Sequence, residues 1–293
     1  MHGRMGGIAL AFITLLASCN ESPEQPPPKA LASQSELAQD YTSSETGSIH
    51  GRVVWEGQVP VAVSTLVRAI AYHPRIHEHP VRYETPHIPR VQPENQGIAD
   101  AVVYLRNFDA RHSRPWDHAR VRVDFHSRQM QLRQGGTASN TGFILKGGKV
   151  ETVNHDADYH ALRGRGAVFF TLPLLTQEHV SSQTVTQTGL VELFDAGGYY
   201  WSHAHLFVVE HPYYARTDSA GNFTLEEVPE GNYKIVSWMP SWHVARSEID
   251  PETAVIARLV WHTPQEQRQQ VHVQKGKGAS VSFCWTQAMF ERH

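Results

Sequence analysis

The sequence predicts an all-β protein. Three observations carry that prediction. Short runs of β-branched and aromatic residues recur along the chain, Gly and Pro bound them, and the spacing between runs is short. The first runs are Ile49, Arg52–Trp55 and Ala101–Leu105. In the run Ala119–Phe125, Val121, Val123 and Phe125 share one face of a strand. Further strands are expected at 142–145, 149–153, 168–172, 190–194 and 205–209. A last group falls at 222–225, 232–238, 257–261, 269–273 and 279–285. A short helix is expected near 245–256, interrupted by Pro251. Many short strands at this spacing point to sandwiches or barrels.

The N-terminus has a different character. Arg4 precedes the apolar run Ile8–Leu16, and small residues lead to Cys19. This is the layout of a secretory signal, 1–18, too short to span a bilayer as a mature helix. Leu16-Ala17-Ser18-Cys19 resembles a bacterial lipobox. The resemblance implies that Cys19 carries a lipid anchoring the chain to a membrane. Asn20 after it implies the outer membrane, with the folded part facing the periplasm. Residues 19–47 are rich in Pro, Ser, Gln and Glu, lack an apolar period, and are expected to form a disordered tether.

The chain has 293 residues and a formal net charge of -3, so composition offers no partner for nucleic acid and enough length for about two domains. Only two cysteines occur, and a lipidated Cys19 leaves Cys284 without an intrachain partner. The unusual number is 19 histidines, the commonest metal-ligating residue.

Two stretches show family resemblances. Thr217-Asp218-Ser219-Ala220-Gly221-Asn222-Phe223 followed by Pro229-Glu230-Gly231-Asn232-Tyr233 forms two turns in series. Asp218 is placed to accept turn amides and Gly221 to take positive φ, with Phe223 and Tyr233 inside. The pattern resembles the carboxypeptidase regulatory-like (prealbumin-like, or transthyretin-like) β-sandwich. The opening strands of that family are similar to Ser48–Gly57 and Gly97–Leu105, far upstream. The resemblance therefore implies a discontinuous sandwich, residues 48–106 plus 211–287, with 107–210 inserted.

Within the insertion, Gly147 to His160 (GGKVETVNHDADYH) resembles a cupredoxin, a Greek-key β-barrel in which the last histidine ligates copper. That position is His160. Type 1 copper also needs a thiolate and a second imidazole, with a weak thioether. Aligned on Trp201, this chain has Ala196 for the cysteine, Tyr199 for the histidine and Ser202 for the methionine. The implied copper site has lost most of its ligands.

Three sets of side chains remain as candidates. His203 and His205, at i and i+2 on a strand, share a face and with His160 form a candidate all-imidazole site for copper or zinc; His155 is a further candidate. His73, His77, His79 and His87 lie in a Pro-punctuated stretch expected to be a polar surface loop. Tyr199, Tyr200, Trp201 and Trp242 are candidates for a contact platform. No nucleophile elbow, HExxH helix or phosphate loop is present. The expected function is non-catalytic: an envelope lipoprotein contacting protein or carbohydrate, without cofactor. The alternative is a periplasmic copper- or zinc-binding or electron-transfer protein.

Overall fold

The computed structural model describes residues 40–67 and 81–291. Cys19, the signal segment, most of the expected tether, and His73, His77 and His79 lie outside the described residues. Every long element described is a strand. In chain order these are β1 (Thr46–Trp55), β2 (Ser64–Val67), β3 (Val81–Glu84), β4 (Arg90–Val91), β5 (Ile98–Ala99), β6 (Val102–Arg106), β7 (Val121–His126) and β8 (Gln129–Gln134). Then come β9 (Thr137–Ser139), β10 (Thr141–Leu145), β11 (Lys149–Asn154), β12 (His160–Gly166), β13 (Phe170–Leu174), β14 (Val180–Thr184), β15 (Gly189–Asp195) and β16 (His203–Val209). The chain closes with β17 (Tyr214–Arg216), β18 (Asn222–Pro229), β19 (Gly231–Met239), β20 (Val244–Ile249), β21 (Ile256–Trp261), β22 (Gln265–Val273) and β23 (Gly278–Trp285).

The four larger sheets stack face to face. The outermost, β18-β1-β23, packs on β17-β6-β19-β22. Between them lies a core of Ile49, Val53, Trp55, Val103, Leu105, Ile235, Phe283 and Trp285, among others. Strand β6 pairs with β19, and β1 with β18 and β23. At the other end, β10-β16-β15-β12-β13 packs on β14-β11-β7-β8-β9. Val121, Val123, Phe125, Leu162, Leu193 and Leu206 fill that second core.

A third apolar layer joins the two halves. Because side chains alternate across a strand, β6 and β19 give Val103, Leu105 and Ile235 to the first core. They present Val102, Tyr104, Val236 and Trp238 on the opposite face, where these meet Phe143, Phe207 and Val209. Strand β16 likewise sends Ala204, Leu206 and Val208 into the second core and Phe207 and Val209 into the third. All seven residues of β16 are buried. The face that would be solvated in a lone sandwich is covered here, and that fixes the surroundings of His203 and His205.

The turn chemistry around β18 is local. Asp218 Oδ1 accepts from the amides of Ala220 at 2.9 Å and Asn222 at 2.8 Å, while Gly221 sits at φ 82°. Strand β1 starts at Thr46, before the end of the expected tether, and Tyr41 already donates to Glu227 at 3.1 Å. The segment expected to be helical, 245–256, is instead the hairpin β20–β21. Asp250 Oδ1 accepts from the amides of Glu252 and Thr253 at 3.1 and 2.8 Å, and this side-chain-capped turn around Pro251 competes successfully with a helix.

Candidate metal centre

His203 opens β16 and His205 follows two residues on, so both rings leave the same face as Phe207, toward the third apolar layer. Trp238 of β19 meets the His205 ring edge-on at 5.1 Å. A third imidazole joins them from a different part of the chain. After β3, Thr85-Pro86-His87-Ile88-Pro89 crosses to β4. The Asn140 side-chain amide donates to the Pro86 carbonyl, fixing the crossing at its start. His87 is thereby buried against β16. It does not belong to a polar surface loop; two flanking prolines and a side-chain hydrogen bond turn it inward.

The three rings form a compact group. Their centroids are 4.7 Å apart for His87 and His203, 5.0 Å for His87 and His205, and 4.9 Å for His203 and His205. One donor nitrogen from each lies within 4.8 Å of the other two. Relative exposures are 4, 6 and 3 % for His87, His203 and His205. His87 Nε2 approaches His203 Nδ1 at 2.6 Å, so one ring donates and the other accepts. Among the described residues, His87 Nδ1 and His205 Nδ1 have no hydrogen-bond partner, nor does Nε1 of Trp261, whose ring stands edge-on to His87 at 5.3 Å. Buried polar atoms are rarely left unpaired, because each costs about 1–3 kcal/mol.

Charge follows from burial. Desolvation pushes His205 down to about 3. His87 is lowered by burial and then by its neighbour His205; His203 is lowered by burial, then by His87, His205 and Arg258. At neutral pH all three are neutral imidazoles with a lone pair to give. A tetrahedral ion with metal–nitrogen bonds of about 2.0–2.1 Å sets its donors about 3.4 Å apart.

His160 is not part of the group. Its Nδ1 lies 2.6 Å from Asp195 Oδ2 and its Nε2 3.1 Å from Asp156 Oδ2. The ring stacks between Phe125 at 4.7 Å and Tyr199 at 4.6 Å, with no exposure. Both ring nitrogens are engaged, and Asp195 Oδ1 also accepts from the Ala161 and Gly197 amides. A type 1 copper ion does not fit these residues. Ala196 offers no donor, the Tyr199 ring packs at a tilt against His160, and the Ser202 hydroxyl accepts from the Met130 amide at 3.2 Å. His155 lies elsewhere, its Nε2 3.1 Å from Asp124 and its Nδ1 3.1 Å from Glu178.

The four aromatic candidates occupy two places. Tyr199 and Trp201 are 1 and 4 % exposed, and cluster with Val67, Tyr83 and Tyr200. Trp242 packs on Trp55 and Phe290, at centroid distances of 6.0 and 4.5 Å. No single exposed platform joins the four.

No family model matches the chain, and no curated protein matches it. Among solved structures, an oxidized amicyanin carrying a proline-to-glycine substitution is similar over 31 % of this chain and 82 % of its own, at 16 % identity and a TM-score of 0.25. The novel purple cupredoxin from Nitrosopumilus maritimus is similar over 31 % of this chain and 99 % of its own, at 14 % identity and a TM-score of 0.25. A reduced amicyanin carrying a tryptophan-to-tyrosine substitution gives 17 % identity, 31 and 83 % coverage and a TM-score of 0.26. Similarities of this size carry no function to this chain.

Proposed function

We propose that this protein is a metal-binding module of the cell envelope, holding one transition-metal ion at His87, His203 and His205 and tethered to the membrane by a lipid on Cys19. The observation that carries the metal reading is the burial of three imidazoles around one point with two Nδ1 atoms unpartnered. Evolution of a purely structural core favours apolar side chains there; a cluster of neutral imidazoles is costly unless something uses the lone pairs. All-nitrogen donors without thiolate suit Zn(II) and Cu(II), with copper bound more tightly by the Irving–Williams order. The lipobox-like Leu16–Cys19 supports the envelope location.

Isothermal titration of metal-stripped, tag-free protein with Zn(II) and with Cu(II) tests the site. One equivalent is expected to bind, to be lost in His87→Ala combined with His203→Ala, and to survive His160→Gln. Equal binding in the double variant removes the proposal. Palmitate incorporation that persists in Cys19→Ala removes the anchor.

A further inference from the structure

A groove of about 880 Å³ opens on one side of the three imidazoles, and His87 and His203 are among the residues that line it. Among the described residues its nearer walls include Asn140, Thr141 and Ser202. His205 does not line it; that ring is deeper, against Trp238. A second ring also packs on the trio. Trp261 stands 5.3 Å from His87 and 6.1 Å from His203. Among the described residues the groove offers a polar approach to the cluster.

The charge balance of the cluster is one-sided. Three neutral imidazoles leave a divalent ion with its full double charge in a buried place. No carboxylate forms an ion pair or hydrogen bond with His87, His203 or His205 among the described residues. A cation stands near the cluster: Arg258 lies over the ring of Phe194, the cross-strand partner of His203 on β15. Its guanidinium is 5.0 Å from that ring centroid, and its ion pair with Glu248 at 3.7 Å offsets only part of its charge. A buried, uncompensated dication is costly, and an anion bound directly to the metal is the most effective compensation. Three protein ligands also leave a fourth tetrahedral position, as in zinc sites that bind water or substrate.

We infer that the centre takes a small monovalent anion as fourth ligand, entering through the groove over His87 and His203 and favoured by the field of Arg258. The inference rests on the proposed three-histidine metal site. In the absence of such an anion, hydroxide or water fills the position.

The test uses the full chain loaded with one equivalent of Cu(II) and titrated with sodium azide, read by absorption and electron paramagnetic resonance. The expected result is a saturable azide-to-copper charge-transfer band with a matching change in the copper hyperfine pattern. Arg258→Gln is expected to keep its copper but to bind azide at least about threefold more weakly. Copper bound with nitrogen hyperfine structure but unmoved by azide overturns the anion inference and leaves the metal site standing. An azide response identical in Arg258→Gln also overturns it, because Arg258 then does nothing to favour the anion. Failure to bind copper overturns both.

Discussion

Replacing His205 by leucine separates the cost of the imidazole cluster from its use. In the metal-free protein His205 is 3 % exposed, its Nδ1 has no partner, and its ring packs against Trp238. An unpaired buried nitrogen costs about 1–3 kcal/mol. Leucine has a similar volume, so the variant removes that cost and opens no large cavity; imperfect packing takes back part of the gain. The net expectation is that metal-stripped His205→Leu is more stable than wild type by about 1–2 kcal/mol, a Tm rise of about 2–8 °C for a unit of this size. Zinc reverses the order. At a free concentration one hundred times its Kd, a ligand that binds only the native state adds about 2.7 kcal/mol. Wild type gains that and the variant does not. Differential scanning calorimetry of both proteins, with chelator and then with zinc, reads all four numbers. The reasoning fails if zinc raises the variant's Tm as much as the wild type's, or leaves the wild type's unchanged. Such a result would show that the three rings pack as ordinary core residues.

Other expectations follow from the same geometry. Stability of the metal-free protein falls as pH drops below about 6.5, because the unfolded chain takes up protons that buried His87, His203 and His205 refuse; each adds a slope of up to about 1.4 kcal/mol per pH unit, for His205 down to about 3. Urea midpoints across pH 4–8 check this, and a flat profile contradicts it. Asp195→Asn places an amide against His160 Nδ1 within a fully buried cluster and is expected to cost about 1–3 kcal/mol in urea unfolding, without loss of metal binding. Gly51→Ala drives a methyl into the Val281 carbonyl and the Phe223 ring, where β1 is pinned between β18 and β23. That change is expected to cost at least about 2 kcal/mol and to show as poor soluble yield.

Much of the fold was legible in the sequence. Val121, Val123 and Phe125 alternate, and all three enter one core. Ala101–Leu105 reads as a continuous apolar run because β6 is covered on both faces, by the first core and by the third layer. The Asp218 and Gly221 turn was visible because its hydrogen bonds close within four residues. The second strand of the hairpin at 244–261 was expected at 257–261; the first was not, because β20 is mostly exposed and carries no clear alternation, and Asp250 decides the turn.

The site divides in the same way. The sequence determined that His203 and His205 share a face, since alternation along a strand is a covalent and steric property of the backbone. It also determined that Ala196 cannot ligate copper, since an alanine has no donor atom. Only the tertiary structure decided that His87 completes their group. Residues 87 and 203 are separated by 116 positions, and the encounter depends on the Pro86–Pro89 crossing and the Asn140 bond that fixes it. Likewise, His160 is withdrawn from the group by Asp195, 35 residues away on a neighbouring strand. Donor chemistry is carried by single residues and is written in the chain; proximity is a property of packed sheets, and local sequence holds no record of it.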